Sequence, residues 1–192
     1  MKKACFMILT CLVVIYVIQL CIPVKIDNKI KEEAYEFCKN NDYNTDCCFL
    51  VDFSKHSGRD RFYIYSFKEK KVIYKSLCAQ GLGVNYNIFK STFSNEIGSN
   101  YSSLGKYKVG KLRPMSNPRY EKGYNMHGLE SSNSNALIRG ILIHKGNVEF
   151  DTFPLPCLPV SKGCFGVSTS MMNNIEDIQN KSTKSILLYA YK

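Results

Sequence analysis

The stretch CFLVDFSKHSGRDRFYIYSFKEKKVIYKSLCA, Cys48 to Ala79, decides the fold class. CFLVDFS, RFYIYSF and KVIYKSLCA are short runs rich in β-branched and aromatic residues, with polar turn residues between them. KEKK reads as the hairpin connection between the last two runs. The same texture returns in LGKYKVGKL, YNMHGLE, IRGILIHKG, NVEFD and SILLYAYK. RPMSNPRYEKG is a break, because its two prolines deny it helix or central strand. GLGVNYNIFKSTFSNEIGSNYSS reads as a long loop and PLPCLP as a rigid extended segment. Only KIDNKIKEEAYEFCKNN and MMNNIEDIQNKS carry helical spacing in the body of the chain. Several short strands with few helices predict a mainly β sandwich or barrel.

Upstream of this body, MKK precedes an uncharged run from Ala4 to Val24. About twenty apolar residues at ~1.5 Å rise per residue span a bilayer. The run is either a retained anchor or a secretory signal, and no small-x-small cleavage site follows it. Either reading exports the rest of the chain and keeps MKK on the cytoplasmic side. The expected organisation is an anchor or signal over 1–24, a short helical spacer over 25–47 and one domain over 48–192.

The 192 residues carry a net charge of +10, and the exported part retains 24 basic against 16 acidic residues, a net of +8. That balance suits an anionic polymer or surface. No arginine-rich or aromatic-interleaved stretch is present, so no nucleic-acid partner is expected. The nine cysteines show neither a CxxC pair nor a regular disulfide spacing.

One cysteine stands in a distinctive setting. SKGCFG, Ser161 to Gly166, puts Cys164 between glycines. Glycines allow a tight turn and let a substrate come close. The amides of Gly163 and Cys164 are candidates to face a developing oxyanion. Lys162 is a candidate source of positive field on the thiol. A cysteine nucleophile also needs a base, and His144 ends the hydrophobic run GILIH. By themselves these residues also fit a small buried cysteine in a glycine turn and a structural histidine.

Sixteen residues, Lys145 to Val160, separate His144 from Ser161-Lys162-Gly163-Cys164. This resembles the signature of the murein L,D-transpeptidase catalytic domain family, of the YkuD type. VDFS at Val51, RFYIYSF at Arg61, SSLGKYKVG at Ser102, MHGLE at Met126, SNSNALIRGILIH at Ser132 and SKGCFGVS at Ser161 follow the family order over roughly 49–191. The resemblance implies an L,D-transpeptidase-like β-sandwich or barrel acting on peptidoglycan stem peptides, as a monomer and without cofactor or metal. It implies Cys164 as nucleophile and His144 as base, oriented by the Lys145 backbone carbonyl. It further implies the Gly163 amide in the oxyanion hole, and His127, Gly128, Arg139, Ser161 and Lys162 around the substrate. Arg139 would either anchor a substrate carboxylate or brace the site. The sequence departs from the family at Lys145, at Lys162, where many members have histidine, and at Gly166, where they have Asn or Arg. Cys157 stands close enough in sequence to form a regulatory disulfide with Cys164. Two rival readings are a non-catalytic wall-binding module on the same fold and a metal-dependent hydrolase ligated by His127, His144 and Cys164.

Overall fold

Strand β1, Cys47–Asp52, is buried at every residue because both faces of its sheet are covered. Phe49 and Val51 face one apolar core, while Cys48 and Leu50 face another. The neighbouring strands divide in the same way. On β2, Phe62–Ser66, the residues Phe62 and Ile64 enter the first core and Tyr63 and Tyr65 the second. On β10, Leu187–Tyr191, Leu188 and Ala190 face the first and Leu187 the second. Period-two alternation therefore feeds two layers, and each fully buried Leu, Val or Phe contributes about 1.5–3 kcal/mol.

The computed structural model describes residues 2–21, 23–83, 91–115, 121–146 and 160–192. Among them, β3 is Lys71–Ser76, β4 Gln80–Gly81, β5 Gly105–Pro114, β6 Lys122–Gly128, β7 Leu142–Lys145, β8 Val160–Ser161 and β9 Phe165–Val167. Eight strands form one sheet in the order β3-β2-β1-β10-β5-β6-β7-β9, and β4 pairs with β8. The sheet curls until its ends meet. Ala79, just past β3, donates its N–H to the Gly166 carbonyl on β9 at 2.7 Å, and the Ser168 N–H reaches Ser76 Oγ at 3.4 Å. The mainly β expectation holds, and the architecture is a nearly closed barrel rather than two facing sheets.

Helix α3, Thr169–Lys181, starts where Ser168 Oγ accepts from the Met171 N–H. It buries Met171, Met172 and Ile175 in the barrel core. Helix α2, Asn28–Asn40, is capped by the Asp27 side chain and covers the outer layer with Ala34 and Cys38. Its Glu33 accepts a hydrogen bond from the Tyr189 hydroxyl at 3.0 Å. Helix α1, Lys2–Cys21, has 20 residues and exposes Phe6, Met7, Ile8 and Leu9. Several of its side chains lie outside the description, and over the described residues no helix is long and apolar enough to cross a membrane.

Two sequence expectations are corrected. The run IRGILIHKG supplies a strand only from Leu142, because residues 131–140 form successive turns. Gly140 adopts φ +66°, and the Ile141 N–H closes on the Ala136 carbonyl at 2.9 Å, which ends the turn as a left-handed glycine ends a helix. The break RPMSNPRYEKG is narrower than its prolines suggest, since Arg113 pairs with Gly123 and Pro114 with Lys122. Proline is tolerated there because β5 has run past its pairing with β10, which ends at Lys108, and is an edge strand at Pro114. NVEFD, PLPCLP and Cys157, with its suggested disulfide, lie outside the described residues.

Arg61, the largest fully buried side chain, is a strut beneath the site. It donates to the Cys78 carbonyl at 2.9 and 2.6 Å and to Gln80 Oε1 at 3.0 Å, and lies over the Phe53 ring. These bonds satisfy the buried cation and fix the chain from Cys78 to Gln80, which leads into β4.

Candidate active site

The pairing of β4 with β8 sets Gly81 beside Ser161 and so places the loop that follows. In that loop Ser161 Oγ accepts from the Gly163 N–H at 3.2 Å and donates to the Cys164 carbonyl at 2.7 Å. One hydroxyl thus closes the turn around Cys164. Gly163 has φ +112°, and a Cβ there would lie 2.8 Å from Ile141 Cδ1 and 3.0 Å from the Tyr101 carbonyl. Only glycine fits both the conformation and the space. Ser102, fully buried, bolts this loop to the neighbouring segment. Its Oγ accepts from the Gly81 N–H at 2.9 Å and donates to the Gly163 carbonyl at 3.1 Å.

His144 lies on β7 in register with Gly123 on β6 and Gly166 on β9. The two glycines clear a lane for its side chain. A Cβ on Gly123 would sit 3.2 Å from His144 Cβ, and one on Gly166 would sit 3.8 Å from His144 Cε1 and 2.9 Å from the Ala79 Cβ. His144 Nδ1 meets the Lys145 carbonyl at 2.7 Å. A carbonyl only accepts, so the ring proton is on Nδ1 and Nε2 is the basic nitrogen. Alternation along β7 turns the Lys145 side chain away from the imidazole face.

Register also places the cysteine. Ile143 pairs with Phe165, and both point into the core. Cys164 stands one residue before β9, and continuing the alternation by that residue puts it and His144 on the opposite face, about 5 Å apart across the ladder and about 7 Å along it. Cys164 is half-buried, and its Sγ donates weakly to the Gly140 carbonyl at 3.7 Å. Burial raises the thiol pKa above its ordinary value. A backbone hydrogen bond from Leu142 and the charges of Arg113 and Arg139 pull it back. Burial lowers the pKa of His144, against the Lys145 hydrogen bond. Both net shifts favour a neutral thiol beside a neutral imidazole at rest.

The other sequence candidates divide. Arg139 is committed to bracing. Its Nη1 donates to the Ser94 carbonyl at 2.7 Å and to Ser103 Oγ at 3.4 Å, and its Nη2 to Ser99 Oγ at 3.3 Å and the Tyr101 carbonyl. Lys162 is exposed, and the positive field on Cys164 comes from Arg113 and Arg139 instead. The Gly163 N–H is directed to Ser161 Oγ, and the Ser161 hydroxyl is occupied inside the loop. His127 lies four residues along β6 from Gly123, about 13 Å from the row that holds His144. Its ring covers Gly110, where a Cβ would come within 2.6 Å of Nε2. Gly128 packs on the turn over 131–140, where a Cβ would collide with the Asn133 carbonyl. Among the described residues no group of three or more His, Cys, Asp or Glu is placed to hold a metal, so the suggested set of His127, His144 and Cys164 is not brought together.

Sequence reading passed over Ser102, Gly140 and Arg113. Ser102 stood within a quoted motif but carried no role. Arg113 had no signal, being a lone arginine before a proline.

A family model described as L,D-transpeptidase catalytic domain matches residues 24–191. Among solved structures, an L,D-transpeptidase fragment from Xylanimonas cellulosilytica aligns at 15% identity and TM-score 0.46, over 81% of this chain and 68% of that one. The helical cell shape determining protein Pgp2 from Campylobacter jejuni aligns at 16% identity and TM-score 0.46, over 76% and 47%. An L,D-transpeptidase from Mycobacterium smegmatis aligns at 12% identity and TM-score 0.43, over 77% and 59%. None of the curated proteins compared with the chain matches it.

Proposed function

The chain belongs to the L,D-transpeptidase catalytic domain family, and from that premise we propose that it is a cysteine enzyme acting on peptidoglycan stem peptides through a thioester. The observation that carries this reading is the 2.7 Å contact between His144 Nδ1 and the Lys145 carbonyl, on the same sheet face as Cys164. It fixes the tautomer that a base for Cys164 requires.

In this mechanism His144 Nε2 takes the thiol proton as Sγ attacks the carbonyl carbon of the bond after the third stem residue. The new C–S bond forms as the carbonyl π electrons move to oxygen. The Cys164 amide donates to that oxygen, the Gly163 N–H being held by Ser161 Oγ. The oxyanion re-forms the carbonyl, the C–N bond breaks, and His144 returns the proton to the departing amine of the terminal D-amino acid. An amine of a second stem, or water, then attacks the thioester. His144 takes its proton and returns it to sulfur. The neutral resting pair suits this sequence, because the proton moves only as the C–S bond forms.

In the same reading residues 1–24 export the chain as a membrane anchor or a signal segment, 25–47 form the helical spacer and 48–192 the catalytic domain. The uncharged run of α1 and the net +8 of the exported part support an envelope location facing an anionic wall. Every group invoked comes from a single chain, so a monomer suffices.

The test is turnover of a stem tetrapeptide by the full chain and by Cys164→Ala, together with intact-mass detection of a carbapenem adduct. The expected outcome is an adduct on wild type alone and loss of turnover in the variant. Undiminished turnover by Cys164→Ala would overturn the proposal. A folded wild type that neither acylates nor turns over would favour the non-catalytic wall-binding module.

A further inference from the structure

Two arginines flank Cys164, and the structure assigns them different work. Arg139 has Nη1 and Nη2 both committed to the segment from Ser94 to Ser103. Arg113 is exposed, and among the described residues no hydrogen bond or ion pair holds its guanidinium. Its Nη2 lies 3.9 Å from where a Cβ on Gly140 would stand. Gly140 is the residue whose carbonyl accepts from Cys164 Sγ. The tip of Arg113 is therefore carried to the edge of the nucleophile. Its backbone is fixed by the pairs Arg113–Gly123 and Pro114–Lys122 on the strand next to β6.

We propose that Arg113 is the specificity-determining residue that binds the terminal carboxylate of the donor peptide, the carboxylate that departs with the leaving D-amino acid. The inference rests on the stem-peptide reading above. The carbon attacked by Cys164 lies about 3.3–3.6 Å, one residue of extended chain, from that terminal carboxyl carbon. A guanidinium at the rim of the thiol is in range of this carboxylate, while other stem carboxylates lie further along the donor. An unpaired guanidinium offers a fork of donors that matches a carboxylate bidentately. Gly140 has no side chain to stand between the two groups.

The test uses the full chain in detergent micelles with two donors, a stem tetrapeptide with a free terminal carboxylate and the same peptide amidated at that end. The readout is the ratio of their kcat/KM values, which cancels general losses in the variant. Wild type is expected to favour the free carboxylate by roughly 10- to 100-fold, the worth of a charge-assisted pair. In Arg113→Gln the ratio should collapse toward one. In Arg113→Lys, which keeps the charge and loses the fork, it should fall between. An unchanged ratio in Arg113→Gln, whatever happens to the absolute rates, overturns the inference and leaves the enzyme reading intact. Absence of any Cys164-dependent turnover of either donor by wild type overturns both.

Discussion

Replacing Ser102 with alanine (S102A) removes one oxygen and breaks two buried hydrogen bonds that join three segments of the site. The Gly81 N–H loses its acceptor at 2.9 Å, and the Gly163 carbonyl loses its donor at 3.1 Å. Both glycines are buried, and Ser102 has no exposed surface. An orphaned buried donor or acceptor costs about 1–3 kcal/mol. A carbonyl has a second lone pair and tolerates loss better than an N–H, so the sum is about 2–4 kcal/mol. The space left by a single oxygen is too small to admit a rescuing water. For a chain of this size each kcal/mol moves Tm by about 2–4 °C, so the variant should melt roughly 4–16 °C lower. With 13 tyrosines and no tryptophan, near-UV circular dichroism of the full chain in micelles follows the loss of packing. Carbapenem labelling of Cys164 should slow in parallel, because the Gly163 peptide loses its clamp. A melting shift below about 1 °C would refute the claim that Ser102 holds the nucleophile loop.

The protonation states of the site give a second prediction. Burial should raise the Cys164 thiol above its ordinary range, so thiolate absorbance, taken as wild type minus Cys164→Ser, should be absent near pH 7. Burial should lower His144 below the ordinary imidazole range, so acylation should be flat through neutrality and fall only as acid charges the imidazole. A difference absorbance already present at pH 7 would contradict the neutral resting pair. A third prediction concerns Gly166. The Cβ of Gly166→Ala would meet the Ala79 Cβ at 2.9 Å and should cost about 1–3 kcal/mol in urea unfolding. Adding Ala79→Gly should recover part of that loss, and strict additivity in the double-mutant cycle would rule out the contact.

The strands were legible because a run of β-branched and aromatic residues is a local property. CFLVDF and RFYIYSF read as β because each strand serves two apolar layers, so both of its faces are marked. The start of β7 was less legible. Ile138 and Ile141 look alike in the sequence, yet the left-handed Gly140 separates turn from strand. The neighbours and spacing of Cys164 and His144 single them out in the sequence. That Ser161 would close the loop internally was not readable, because a serine hydroxyl suits a substrate and a backbone equally well.

The sequence by itself determined the strand texture, the apolar start and the spacing between one histidine and one cysteine. Each of these is carried by residues close together or by spacing along the chain. Tertiary structure alone decided which arginine is locked and which is open, what Ser102 holds, and why Gly166 has no room for a side chain. Those facts arise where folding sets Gly81 and Tyr101 against Gly163, Arg113 beside Gly140, the Gly140 carbonyl against the Cys164 thiol and Ala79 against Gly166. The backbones meet there across long stretches of chain, and no local pattern records a contact made only when the two ends of the sheet come together.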